Sequence, residues 1–94
     1  MILSYRDKRT RGFASGDRVK ALSGIERSAR LKLDRLEAAA TLRDLAALPG
    51  NRFEALNGDR KGQYNIRIND QSRICFSWPE GSLGPTNVEV VDYH

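Results

Sequence analysis

The chain ends in Asp92-Tyr93-His94, which sets a carboxylate, a phenol and the only imidazole side by side. His94 has the one side chain whose unperturbed pKa, about 6.5, lies near neutrality. Its own terminal carboxylate and Asp92, two residues back, both favour the imidazolium, and so a general acid. Arg60 and Arg73 add planar forks of donors, suited to a phosphate that gains charge in a transition state. Tyr93 could stack on a base or hold a proton relay. Together these residue types match metal-free RNA cleavage, in which a 2′-hydroxyl attacks its own neighbouring phosphate. That reaction needs a base for the hydroxyl proton, cations for the phosphorane and an acid for the leaving 5′-oxygen. Taken singly, each residue has a plainer reading. His94 could be a solvated chain end, Arg73 half of an ion pair with Glu89 or Asp92, and Tyr93 a half-buried strand aromatic.

Other chemistries find less support. Cys75 has no basic neighbour in sequence and reads as an inert thiol. A lone Cys and a lone His make neither a disulfide nor a zinc site, so no metal or cofactor is expected. Gly58-Asp59-Arg60-Lys61-Gly62 lacks the length and the Lys-Ser/Thr pair of a phosphate-binding P-loop.

The candidate residues hang on a sheet. Gln63–Ile68 and Ser72–Trp78 alternate and flank the turn residues Asn69-Asp70, a hairpin pattern. Tyr64, Ile66 and Ile68 share one face of the first strand; Ile74, Phe76 and Trp78 share one face of the second. A third strand, Asn87–His94, follows the breaker-rich Pro79–Pro85 and places Val88, Val90 and Asp92 opposite Glu89, Val91 and Tyr93. Ile2–Tyr5 suits an edge strand. Arg6–Gly12 reads as a polar loop or first helical turn in preference to a phosphate-contacting arm, since no aromatics interleave its four basic residues. Ser23-Gly24-Ile25-Glu26 has the form of a capping box opening a helix. Ile25, Ala29, Leu33, Leu36 and Ala40 form its apolar stripe, and Thr41 restarts it with Leu42, Leu45 and Leu48 before Pro49-Gly50. Arg52–Leu56 reads as a short extended piece and Asn57–Gly62 as a tight loop. The expected architecture is α+β, a mainly antiparallel sheet with helices on one face and Arg and Tyr on the other.

Size and charge agree with one small domain over residues 1–94. The apolar runs are far below the roughly 20 residues of a membrane span, and the N-terminus has no signal-peptide pattern, so an intracellular protein is expected. Net charge is +4. It is uneven: residues 1–50 carry 11 Lys/Arg against 6 Asp/Glu, and residues 51–94 carry 5 against 6. Such a basic half attracts polyanions, although a solvated helix surface looks the same.

Three blocks carry a specific likeness: Asn51–Gly62 with its Gly58-Asp59-Arg60, Ile66–Phe76 with Arg73-Ile74-Cys75-Phe76, and Val88–His94 with the terminal Asp-Tyr-His. In sequence and spacing they resemble the HigB-type toxins of the RelE superfamily, and the helix from Glu26 to Leu48 fits that family's second helix. The likeness spans nearly the whole chain and is weakest over residues 6–22. It implies a RelE-like fold and a cytoplasmic bacterial type II toxin that cleaves messenger RNA in the ribosomal A site. It also implies a cognate HigA-like helix-turn-helix antitoxin, with operator DNA bound only through that partner and no membrane role. By the same likeness Asp92, Tyr93 and His94 form the catalytic terminus with Arg73 and Arg60, while Glu54, Asn57, Lys61 and Arg67 would contact substrate. Some members have His and Lys where this chain has Glu54 and Asn57, which implies slower or more selective cleavage. A weakly catalytic ribosome or RNA binder that blocks translation by occupancy is the alternative.

Overall fold

The computed structural model describes residues 1–92. Three helices, α1 (Lys8–Ala14), α2 (Glu26–Ala38) and α3 (Leu42–Ala46), precede four strands. The strands β1 (Glu54–Ala55), β2 (Gln63–Arg67), β3 (Ser72–Ser77) and β4 (Thr86–Asp92) form one antiparallel sheet in the order β1-β2-β3-β4. This is the α+β architecture the alternation predicts.

The core follows from strand parity. Ile66, Ile68, Ile74, Phe76, Val88 and Val90 are buried from the sheet side and meet Phe13, Leu22, Ala29, Leu33, Leu36, Ala39 and Leu45 from the helical layer. Alternate strand residues point the other way. Burying each of the large side chains contributes about 1.5–3 kcal/mol. Tyr64 joins the edge of this core, with ring centroids 5.4 Å from Phe53 and 6.1 Å from Phe76.

Of the two readings of residues 6–12, polar loop or first helical turn, the second holds: the chain is helical from Lys8. Asp7 caps α1 by accepting from the Thr10 N–H at 2.7 Å, and Thr10 and Phe13, three apart, face inward. The basic residues occupy the rest of the circumference. Arg30 of α2 ties the two helices, donating to the Phe13 carbonyl at 2.8 Å with its guanidinium 4.1 Å from the Phe13 ring centre.

The capping box expected at Ser23 does not form. Lys20–Ile25 is a 3-10 turn that runs directly into α2, so Ser23 lies inside a helical turn and not before one. The box falls at the second candidate, where Thr41 and Asp44 exchange side-chain and backbone hydrogen bonds at the start of α3. Because the chain extends at Ala39, the apolar stripe moves from Ala40 to Ala39.

Lys32 was expected on the solvated side of the helix and is buried, 8% exposed. Its ammonium donates to the Gly50 carbonyl at 3.1 Å and to Asn51 Oδ1 at 2.9 Å, while Asn51 Nδ2 donates to the Leu45 carbonyl at 3.1 Å. The pair thus fastens α2, the end of α3 and the turn at Pro49–Asn51. Burial, and then the charges of Arg35 and Arg67, lower the Lys32 pKa below its ordinary 10.5.

At the other end of the chain the N-terminal segment lies parallel to β4. Tyr5 bridges Val88, the Leu3 N–H donates to the Pro85 carbonyl, and a Cβ at Gly84 would collide with the Met1 carbonyl. A bulge lets β4 keep this contact. Asn87, at φ 53°, absorbs the extra residue between the Cys75–Glu89 and Ser77–Thr86 pairs.

Replacing Asn51 with Ala leaves a buried ammonium short of an acceptor and should cost roughly 2–4 kcal/mol in urea unfolding. Lys32→Met, which keeps the volume and removes the charge, should cost less. The same unfolding series across pH checks the titration. Folding sheds the Lys32 proton between its lowered folded value and 10.5, so wild-type stability should rise with pH in that window and Lys32→Met should lose the rise.

Candidate nucleic-acid interface and active site

On the face away from the helices, strand register sets Glu54, Asn65, Cys75 and Glu89 in one row across all four strands. The next row holds Arg67, Arg73 and Val91. Cross-strand partners share a face, so the sheet itself fixes both rows.

Arg60 is brought over the first row by the 3-10 turn Gly58–Arg60. Its Nη1 donates to Gln63 Oε1 of β2 at 3.1 Å and to Glu89 Oε1 of β4 at 2.9 Å. A single nitrogen within reach of both strands must pass above β3. The middle of this face is therefore covered: Asn65 is 2% exposed and Cys75 is fully buried, although both lie opposite the core. Glu89 is itself only 13% exposed and also lies 3.6 Å from Arg6 Nη1. Two guanidiniums offset the cost of removing this carboxylate from water. In the same row Asn65 Oδ1 is buried and has no hydrogen-bond partner among the described residues.

Arg67 and Arg73 are direct register partners, and like charges facing each other on a sheet are destabilising. The β2–β3 turn draws them off. Arg67 pairs with Asp70, and Arg73 donates to the Asn69 carbonyl and, at 3.0 Å, to its neighbour, the Ser72 carbonyl. Asn69 shapes the turn by accepting from the Gln71 and Ser72 N–H groups at 2.9 and 2.7 Å. Residues that read only as turn formers thus supply the counter-groups for both arginines.

Asp92 sits at the end of β4 opposite Ser72, whose hydroxyl donates to Asp92 Oδ1 at 3.1 Å. It shares a side of the strand with Val88 and Val90, whereas Arg73 shares the other side with Val91. Hence the structure brings Arg60, Arg67 and Arg73 to one face and sets the Asp92 carboxylate on the opposite side of the same sheet end. Glu54, Asn57 and Lys61 are exposed along the rim formed by β1 and the following loop. Tyr93 and His94 lie outside the described residues.

Sequence reasoning missed Glu89 and Gln63 as holders of Arg60. Alternation did put Glu89 on the polar side, but it was offered as a partner for Arg73. Register sets it opposite Cys75 instead, one row away, within reach of Arg60 and Arg6.

A four-stranded antiparallel sheet with helices over one face and arginines over the other is an architecture consistent with RelE-like toxins. The profile of a family described as "RelE-like toxin of type II toxin-antitoxin system HigB" matches residues 3–94, and the chain belongs to that family. Among curated proteins it is 42% identical over 83 residues to Toxin HigB-1 of Vibrio cholerae serotype O1, covering 86% of this chain and 87% of that protein. Membership of a type II system implies an antitoxin partner. No helix among the described residues is long and apolar enough to cross a membrane.

Replacing Glu89 with Gln removes the charge that holds Arg60 and should cost about 1–3 kcal/mol in thermal or urea unfolding. Arg60 should also gain freedom, seen as sharpening of its side-chain Nε–H resonance toward that of a solvated arginine.

Proposed function

We propose that the protein is the toxin of its pair by virtue of ribosome-dependent endoribonuclease activity. The observation that carries this reading is the row of Arg67 and Arg73 on the helix-free face, with Arg73 paired to Val91, the residue before Asp92. Phosphate-binding cations thus stand next to the strand that delivers the terminal Asp-Tyr-His of the family pattern.

In this reading the 2′-oxygen forms a bond to the adjacent phosphorus as the P–O5′ bond breaks, leaving a 2′,3′-cyclic phosphate and a 5′-hydroxyl. Arg73 and Arg60 stabilise the extra negative charge that develops on the phosphorane. Among the described residues Arg73 is held by the Asn69 and Ser72 carbonyls and by no carboxylate, so a phosphate can compete for it there without breaking an ion pair. His94 handles protons at the phosphate, with the imidazolium as the acid for the leaving 5′-oxygen, and Tyr93 orients or stacks on the substrate, while Asp92, across the sheet end from Arg73, acts through the strand that carries them. Arg67, Lys61, Asn57 and Glu54 line the path of the RNA. The basic first half supplies the long-range attraction to ribosomal RNA.

The antitoxin in this reading is HigA-like, with a helix-turn-helix domain that carries the pair to operator DNA. Glu54 favours a second reading, a weak nuclease acting mainly by occupying the ribosome. An exposed carboxylate at the rim repels a phosphate, and family members with His there would not.

Translation of a defined message in vitro, with mapping of 3′ ends, tests the proposal. Wild type should cut at A-site codons, and deletion of His94 should abolish the cuts while leaving ribosome binding. Arg73→Ala should slow cleavage by roughly 10²–10³-fold, the scale of losing one preorganised donor to a developing oxyanion. Glu54→His should speed it. Arrest without cuts would establish the occupancy reading instead, and no effect on translation would exclude both.

A further inference from the structure

Among the described residues no fifth strand pairs with the outer edge of β4, yet its backbone is bonded. Arg6 N–H donates to the Val88 carbonyl at 3.0 Å and Val88 N–H to the Ser4 carbonyl at 3.1 Å. Past Tyr5 the chain turns into α1, and backbone pairing gives way to side chains. Val90 N–H donates to Thr10 Oγ1 at 3.1 Å, and Arg9 Nη2 donates to the Val90 carbonyl at 2.8 Å. Both outward groups of Val90 are thus held by consecutive residues of one helix. Thr10 is fully buried. Beyond this clamp lie one peptide, Val91, and then Asp92.

Arg9 and Asp92 also line a common hollow of about 150 Å³, walled by Leu22, Ile25 and Val90 and closed at one end by Ser72. Ser72 fixes the Asp92 carboxylate from β3, as described above. The side chain of Asp92 is therefore set from the strand beside it, and its backbone from α1 two residues upstream.

We infer that Arg9 and Thr10 are positioning residues for Asp92: they fix the end of β4 on which Asp92 stands, and with it the start of the Asp-Tyr-His sequence. This rests on the nuclease reading above. Backbone placement matters here because a misplacement of about 1 Å in a reacting group can cost on the order of 10²-fold in rate. Arg9 also sits between the basic residues Lys8 and Arg11 on an exposed helix. A simple role in RNA attraction is the competing account, and it predicts a different kinetic signature.

The test uses the full chain on ribosomes stalled with a defined codon in the A site, measuring the maximal single-turnover cleavage rate and the half-saturating toxin concentration. Arg9→Ala and Thr10→Val should each lower the maximal rate by about tenfold or more, with half-saturation changed by less than about twofold. Thr10→Ser, which keeps the acceptor, should restore most of the rate. A raised half-saturation with an unchanged maximal rate would make Arg9 an RNA contact and overturn the inference. So would equal loss in Thr10→Ser and Thr10→Val.

A second measurement needs no RNA. The chain has one His and one Trp, so the imidazole Hε1 resonance reports the terminus and the Trp78 indole N–H, bonded to the Ser82 carbonyl, reports the far end of the hairpin. Arg9→Ala should shift the imidazole signal and leave the indole in place. An unmoved imidazole would sink the inference even if wild type cleaves RNA. A shifted imidazole in a protein that cuts no message would instead fault the nuclease reading and leave the clamp standing as structure alone.

Discussion

A strand at the edge of a sheet must find partners for one whole side of its backbone, or leave those groups to water and to other chains. In this protein that strand is β4, and the demand is met by the first ten residues. Leu3 and Arg6 donate backbone N–H groups along it, Ser4 accepts, and Thr10 and Arg9 complete the edge at Val90. Much of the remaining arrangement depends on this. The N-terminal segment has to run beside β4, which starts α1 where Phe13 can enter the core, and Phe13 in turn receives Arg30 of α2. The chain's two ends are therefore one structural unit, although they are as far apart in sequence as the chain allows.

Strand parity then divides the molecule. Apolar residues of β2, β3 and β4 face the helices and polar ones face away, so the helical layer is a support and the arginine-bearing face is left to do work. The division is not clean, and its exceptions are informative. Lys32 is a cation buried on the supporting side, satisfied by amide oxygens and no carboxylate, and its lowered pKa records the strain of that choice. Glu89 is a carboxylate nearly buried on the working side, satisfied by Arg60 and Arg6.

What could be read from the sequence is what period two and turn chemistry encode. The hairpin around Asn69-Asp70, the core residues of β2 and β3, the second cap at Thr41 and the antiparallel α+β architecture were all legible in that way. The failures share a cause: local patterns were read where tertiary partners decide. Residues 6–12 fit a charged loop or a helical turn until Asp7 is seen as a cap and Thr10 and Phe13 as one inward face. Ser23 looks like a cap until the turn before it proves helical. For the candidate site, alternation separated Glu89 from Val90 correctly, but which arginine Glu89 meets depends on register and on the bulge at Asn87, neither of which a single strand's pattern contains. Asp92 marks where that limit begins: alternation put it on the side of Val88 and Val90, but its partner Ser72 comes only from register.

The arginine row is where stability and work pull apart. Placing Arg67 opposite Arg73 is a poor choice for a sheet, because facing like charges raise the energy of the folded state. The turn softens the cost with Asp70 and the Asn69 carbonyl, but these partners sit at the end of the hairpin and pull both guanidiniums outward along it. Arg60, by contrast, is held across the sheet by a nearly buried carboxylate. The two arrangements differ in what an arriving anion would gain. At Arg60 it must displace Glu89 and at Arg67 Asp70, whereas Arg73 is held among the described residues by carbonyls. In the proposed reading a phosphate therefore enters at Arg73, beside the end of β4, where it would also relieve the repulsion between the two facing arginines.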